Sequence, residues 1–249
     1  LVEREDAFGG VLKNANKIKS INDQPADEWL EKTERLIRNS NNIKILKNTL
    51  VTTYNFSDHL IALEDKNVGK PQDNEKPELV LHKIRTKHTI LANGHIERFI
   101  TFRNNDLPGV MLAASFEKYL NRYGVVPDES PVIFTNNSST FSLLKSLTDL
   151  GHKPIAYVDI RDQKNIEKQT LELLEKFNIP FYPKSEIEGC EGKKEVKKVS
   201  IRTKKNQITK IKTSMLCVSG GFNPDIHLFT QSKGLLKWDK DHLTFKPDR

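Results

Sequence analysis

Cysteine is nearly absent: the 249 residues hold two, Cys190 and Cys217. Two thiols so far apart build neither a disulfide framework nor a metal cluster. No Cys-x-x-Cys pair occurs, which excludes dithiol reductase chemistry, and a reducing, cytoplasmic compartment is the expectation. No apolar run approaches the ~20 residues of a membrane span, and no secretory signal peptide is visible. The seven histidines show no ligand spacing, so no metal site is expected. Basic residues exceed acidic ones, 40 to 33, for a net charge of +7. The lysines are dispersed, however, and their pairs (Lys193-Lys194, Lys197-Lys198, Lys204-Lys205) fall in an alternating stretch, residues 195–213. That stretch reads as a solvated hairpin, so no nucleic-acid partner is expected. What remains is a foldable chain, 36% hydrophobic and 29% charged, long enough for one large domain or two ordinary ones. It opens on Leu1 without a Met and stops at Arg249, and it reads as a segment of a longer protein.

Leu1-Val2-Glu3 reads as the end of a strand that closes in an acid. A polar turn follows, from Arg4 to Gly9-Gly10. In a dinucleotide-binding fold an acid at that place accepts hydrogen bonds from the adenosine ribose hydroxyls. The Gly-x-Gly-x-x-Gly fingerprint belongs ~20 residues earlier, which falls before residue 1. Residues 25–40 read as a helix, with Trp29, Leu30, Thr33, Leu36 and Ile37 at spacings of three and four. Pro25 suits its first turn, and Asp27 and Glu28 suit its positive end. Residues 43–46 read as a strand. Residues 49–54, 59–63 and 79–85 read as three consecutive strands, a β-meander, with a polar surface loop over 64–77 that contains Gly69, Pro71 and Pro77. Residues 88–92 are expected to return to the main sheet as a strand. Its apolar run, Thr89-Ile90-Leu91-Ala92, ends in Asn93-Gly94, where a missing side chain lets backbone approach a bound diphosphate. Residues 109–123 read as a helix stopped by Gly124, and 127–130 as a short linker.

Strand and helix then alternate: strand 131–135, helix 140–150, strand 155–160 closing in Asp159, helix 166–177, strand 179–182. That order predicts a parallel sheet and a second Rossmann-like domain. Its first turn is Asn136-Asn137-Ser138-Ser139 where a fingerprint has glycines, so it is not expected to hold a dinucleotide in the standard way. Residues 215–219 form a last buried strand, closing in Gly220-Gly221-Phe222-Asn223-Pro224. A short helix (225–232) and a hairpin (235–245) follow. The expected fold class is α/β, with two Rossmann-like dinucleotide-binding domains, one inserted in the other, and a three-stranded β-meander. The first domain spans 1–124 without its Gly-rich βα unit, the inserted domain spans 125–219, and 220–249 returns to the first.

Four segments in this order carry a resemblance: Val2-Glu3-Arg4 through Gly9-Gly10, Asn93-Gly94 through Glu97-Arg98, Asn105-Asp106-Leu107-Pro108-Gly109-Val110-Met111 with Tyr119-Leu120-Asn121-Arg122-Tyr123-Gly124, and Val218-Ser219-Gly220-Gly221-Phe222-Asn223-Pro224. Together they resemble the alpha subunit of heterotetrameric sarcosine oxidase over nearly the whole chain. Asn93 stands where that pattern has Thr, and Phe99 where it has Pro. The resemblance implies NAD in the first domain, with FAD and FMN elsewhere in a complex with beta, gamma and delta subunits. It implies oxidation of the N-methyl group of sarcosine, a small amine, with the carbon passed to tetrahydrofolate by a domain beyond residue 249. It places Glu3, with Arg4 beside it, on the ribose. Gly9 and Gly10 would pass near the cofactor, and Val51 would present backbone to adenine. Ala92, Asn93 and Gly94 would line the diphosphate, and Gly220 and Gly221 its far end. No catalytic residue is assigned: His95 has no nucleophile beside it, and Glu97-Arg98 reads as a surface ion pair. A related amine or opine dehydrogenase subunit, and a non-catalytic assembly subunit with structural NAD, stay open as alternatives.

Overall fold

Short segments rich in apolar and β-branched residues in the first half form an antiparallel meander of Thr49–Asn55, His59–Asp65 and Leu79–Arg85. The computed structural model describes residues 1–14, 20–55, 58–68, 78–126 and 129–248. Gly69, Pro71 and Pro77 of the expected loop, and Pro127 and Asp128 of the expected linker, lie outside the described residues. Contacts divide the chain into two compact units: Leu1–Gly10 with Ser20–Ile96 and Asn223–Arg249, and Val11–Lys19 with Glu97–Phe222.

The first unit is organised by the meander. Leu63 lies opposite both Leu50 and Leu81, and a bulge between Val51 and Thr53 interrupts the ladder. Burial alternates along the central strand, with Leu60, Ala62 and Glu64 inward. The Glu64 carboxylate is paired there, with His82 Nε2 at 2.7 Å and Lys66 Nζ at 2.7 Å, as a buried charge must be. These partners hold it below the usual carboxylate range, Lys66 more than His82. Helix Ala26–Arg38 follows Pro25, with Asp27 and Glu28 in its first turn and Arg35 and Arg38 in its last. Both charge sets complement the helix dipole. The short helix His227–Gln231 packs on the first meander strand, where Tyr54 N donates to the Gln231 side chain at 2.7 Å. A hairpin of Leu236–Asp239 and Thr244–Pro247 sets Trp238 edge-on to Phe245 with ring centres 5.0 Å apart. Of the expected strand at 43–46, only Leu46 pairs, in a parallel bridge to Val2.

The second unit holds a five-stranded, all-parallel sheet in the order Phe181–Pro183, Ala156–Asp159, Val132–Thr135, Leu216–Ser219, Val110–Leu112. Its central strands are buried at every residue, as parallel strands covered on both faces should be. Ile133, Tyr157 and Cys217 face the helices Ala113–Tyr123, Phe141–Asp149 and Lys168–Lys176, packing on Phe116, Leu144, Leu147 and Leu174. Val132, Phe134, Val158, Leu216 and Val218 face the other way, onto Ile187, Val199 and Ile201. Those three belong to an antiparallel sheet of Glu186–Glu191, Lys198–Arg202 and Ile208–Lys212, so the expected hairpin over 195–213 has a third strand. Each fully buried Leu, Val or Phe contributes about 1.5–3 kcal/mol.

Two expected elements differ. The helix expected over 109–123 begins at Ala113, because Val110–Leu112 pairs in parallel with the Leu216–Ser219 strand. An unbroken apolar run suits either state, and the neighbouring strand decides it. This strand also draws residues 97–124, read from the sequence as part of the first domain, into the second unit. Residues 88–92 form no strand. No ladder hydrogen bond reaches them among the described residues, and Ile90 is 94% exposed. The strand lies at His95–Glu97 instead, paired with Phe222–Pro224.

Candidate functional site

In the first unit the site is built around Glu3. Val2 bridges Leu46 in parallel, and Leu46 N donates to Leu1 O at 2.9 Å while Glu3 N donates to Leu46 O at 2.8 Å. Thr49 N donates to Glu3 O at 2.9 Å, which ties Glu3 to the meander strand carrying Val51. The half-buried Glu3 side chain turns back to accept from Glu5 N at 2.9 Å through Oε1. Oε2 has no partner among the described residues. The strand expected over 1–3 is thus a single bridge, but the acid after it is positioned by backbone and still has an acceptor to offer. Arg4 is exposed and lies 3.5 Å from Glu5.

The turn after Glu3 is anchored by Phe8, which is buried with the Lys47 ammonium 4.6 Å from its ring centre, a contact worth about 0.5–1 kcal/mol. Lys47 also pairs with Glu34 at 3.2 Å. Gly9 (φ 112°) and Gly10 (φ 46°) both take left-handed backbone, which a side chain resists. A Cβ on Gly10 would meet nothing within 4 Å, so backbone conformation rather than crowding calls for glycine there. Val51 is half-buried opposite Ala62. Ala92, Asn93 and Gly94 are exposed and irregular, with Gly94 at φ 78° and its carbonyl accepting from Asp225 N at 3.1 Å. The structure thus joins Glu3 to the strand of Val51. No hydrogen bond links Ala92, Asn93 or Gly94 to them among the described residues.

Gly220 and Gly221 belong to the second unit and have a packing reason of their own. A Cβ on Gly220 would lie 3.0 Å from Arg98 O and 3.1 Å from the Ile100 side chain. Gly220 N donates to Arg98 O at 2.7 Å, and Arg98 N to Gly221 O at 2.8 Å. These glycines let residues 98–100 lie flat against the strand end.

Glu97 is not a surface ion-pair residue. Its Oε2 accepts from Ala114 N at 2.8 Å, in the first turn of the Ala113–Tyr123 helix, and its Oε1 is buried without a hydrogen-bond partner among the described residues. Burial pushes its pKa up, against the lowering effect of the Ser219 hydroxyl and the Ala114 amide. Both thiols are pushed up by burial as well, Cys190 to about 11 and Cys217 further, so neither is a thiolate at neutral pH.

The carboxyl ends of the parallel strands carry a polar network. Asp159, fully buried, takes Arg161 through both oxygens (Nε to Oδ1 at 3.1 Å, Nη2 to Oδ2 at 2.9 Å) and Arg161 N at 2.8 Å. Arg161 Nη1 reaches Ser138 Oγ at 2.9 Å, and Ser138 donates to Glu167. Asn137 donates to Ser219 O and Oγ at 3.0 and 3.2 Å. The sequence reading marked Asp159 and the turn but missed Arg161 and Ser219. An acid followed two residues on by Arg was the available signal for the first of these. A cleft of about 560 Å³ opens elsewhere, lined by Ser130, Ile155, Lys198, Lys212 and Ser214 among others. Ile155, Lys212 and Ser214 sit at the amino side of the sheet, away from where α/β sheets bind ligands.

No protein-family model matches the chain. The α/β fold, with its three-stranded antiparallel sheet and its parallel sheet, is similar to that of FAD/NAD-dependent oxidoreductases. T. acidophilum thioredoxin reductase superposes with a TM-score of 0.65 at 13% identity, over 95% of this chain and 73% of that one. L-proline dehydrogenase from P. horikoshii gives 0.64 at 19% identity, over 100% of this chain and 42% of that one. In sequence, the chain is similar to sarcosine oxidase subunit alpha. It is 31% identical to that of Corynebacterium sp. (strain U-96) over 258 aligned positions, 99% of this chain. The chain spans about a quarter, 26%, of that subunit's length. No described helix is long and apolar enough to cross a membrane.

Proposed function

We propose that this chain is the NAD-binding part of a sarcosine oxidase-type alpha subunit, and that the first unit holds the nucleotide. The observation that carries this reading is Glu3. It follows the parallel bridge of Val2 to Leu46, its backbone is fixed on both sides, and Oε2 remains to accept from ribose hydroxyls. Gly9 and Gly10 would carry the turn past the cofactor, with Arg4 at its edge. Val51 would offer backbone to adenine, and Ala92, Asn93 and Gly94 would face the diphosphate. The set is that of a nucleotide cradle, one carboxylate with Arg4 at the edge and otherwise uncharged side chains and backbone, and it fits the group.

Bound NAD would supply a hydride acceptor. The chain's own part is to bind and orient: Glu3 holds the ribose, and the glycine turn keeps backbone close to the cofactor. In the whole protein we place this segment in an oxidoreductase that demethylates sarcosine, with beta, gamma and delta subunits, FAD and FMN, and tetrahydrofolate as the one-carbon acceptor.

A second reading is favoured by one specific observation. Apart from Glu3 and Arg4, the proposed contact residues carry no ionisable side chain, so nothing there moves a proton and the NAD would be structural. Adding a slight excess of sarcosine to the intact complex separates the two. NADH absorbance appearing and decaying with turnover supports a redox role. Turnover with NAD absorbance unchanged supports the structural one. A complex that turns over after its NAD has been stripped contradicts both.

A further inference from the structure

In the second unit's sheet the chain leaves the Val132–Thr135 strand for one side, while the Leu216–Ser219 strand lies on the other. That is a topological switch point, where open α/β sheets bind nucleotides at the carboxyl ends of their strands. A dinucleotide there needs three things: amide N–H groups of the turn free for the pyrophosphate, a gap between the two strand ends, and a strand-end acid free for ribose.

Three of the four turn amides, the gap and the acid are taken. Asn137 N donates to Thr135 Oγ1 at 3.1 Å, Ser139 N to Asn137 Oδ1 at 2.9 Å, and Asn136 N to Ser219 O at 3.4 Å. Asn137 Nδ2 spans the gap to Ser219 O and Oγ, and Ser139 Oγ meets Ser219 Oγ at 3.2 Å. Asp159 is filled by Arg161, which Ser138 in the same turn also holds. Burial works against the Arg161 charge, but Asp159 more than offsets it and the guanidinium stays firmly protonated.

We propose that this crevice is latched shut by its own side chains. Asn137 takes the place of a pyrophosphate between the two strand ends, and Arg161 takes the place of ribose on Asp159. The chain therefore carries one dinucleotide site rather than two. The count of one rests on the assignment to Glu3 above; the latch does not. A dinucleotide entering here would have to break the Asn137, Ser139 and Arg161 bonds together, and the Asn and Ser side chains would still crowd its phosphates. The latch also joins the two strands across the switch point, which makes the turn part of the sheet's frame.

The test uses the intact protein, with 8-azido-NAD and 8-azido-NADP as photoaffinity probes and amide hydrogen exchange as a second readout. The latch predicts no label in residues 135–161. It also predicts slow exchange at the Asn137 and Ser139 amides in nucleotide-free protein, unchanged by added NAD or NADP. Label in 135–161, or fast exchange there that slows on adding nucleotide, overturns it. Asn137→Ala should speed Ser139 exchange roughly tenfold, the size of one lost hydrogen bond, while core amides such as Ile133 stay protected. Unchanged Ser139 exchange in that variant also overturns the latch. Label in residues 1–96 supports the Glu3 site. If neither region is labelled while both turn amides are protected, the Glu3 reading fails and the latch stands.

Discussion

Each unit places an acid beside parallel pairing, Glu3 just after the single Val2–Leu46 bridge and Asp159 at the end of a full strand, and the two acids are used in opposite ways. Glu3 has its backbone fixed and one carboxylate oxygen unengaged among the described residues. Asp159 has both oxygens bound to Arg161. The turns differ in the same sense. Gly9-Gly10 carries no side chains and takes left-handed backbone, whereas Asn136 to Ser139 folds its side chains onto its own amides and across to Ser219. Topology alone therefore does not make a nucleotide site. What decides is whether the polar groups at the strand ends are left for a ligand or satisfied from within.

The largest expected effect breaks this comparison at Asp159. Asp159→Ala strands Arg161 and should destabilise the protein by about 3 kcal/mol, the low end for breaking a buried pair, with released nucleotide unchanged. Urea unfolding and nucleotide content, measured on one preparation, check it; a loss of nucleotide at full stability would reverse the roles of the two acids. Gly220→Ala comes next, at about 2 kcal/mol, because its Cβ must push against the Arg98 carbonyl. If it unfolds as the native protein does but loses nucleotide, Gly220 serves the ligand rather than packing. Glu3→Gln should weaken NAD binding roughly tenfold, the low end for a charged hydrogen bond, and leave nucleotide-free unfolding unchanged. Calorimetric titration of the stripped protein decides it, equal affinities counting against the ribose role.

The smallest effect concerns pH. Burial raises the Glu97 pKa, so the folded state binds a proton that the unfolded state has released. Stability should fall as pH rises from the ordinary glutamate value of 4.5 through the higher folded value. Glu97→Gln keeps an acceptor for Ala114 N and should flatten that decline. Parallel stability–pH curves for the two proteins would mean that Glu97 is not buried as described.

What could be read from the residues follows the same division. The meander was legible because Thr49–Asn55, His59–Asp65 and Leu79–Arg85 are short segments rich in β-branched and apolar residues, and the structure gives His59–Asp65 one buried face. The buried strands at 132–135, 156–159 and 216–219 were legible as short apolar runs between turns. Val110–Leu112 was not, since three apolar residues next to a helix carry no period of their own, and only the Leu216–Ser219 strand settles their state. Thr89-Ile90-Leu91-Ala92 misled in the opposite direction: it has strand composition without a neighbouring strand. Glu3 could be found because its signal is local, an acid closing a strand before a glycine turn. The Asn137–Ser219 bonds could not, because they join residues 82 apart and depend on the parallel register of Phe134 with Val218.

The most direct test of the account is to release and identify the nucleotide of the intact parent subunit, separated from any partners, by denaturation and mass spectrometry. The account predicts NAD, one per chain, lost or sharply reduced in Glu3→Gln and retained in Asp159→Ala. FAD in its place, two nucleotides per chain, or NAD that survives at Glu3→Gln and disappears at Asp159→Ala would contradict it.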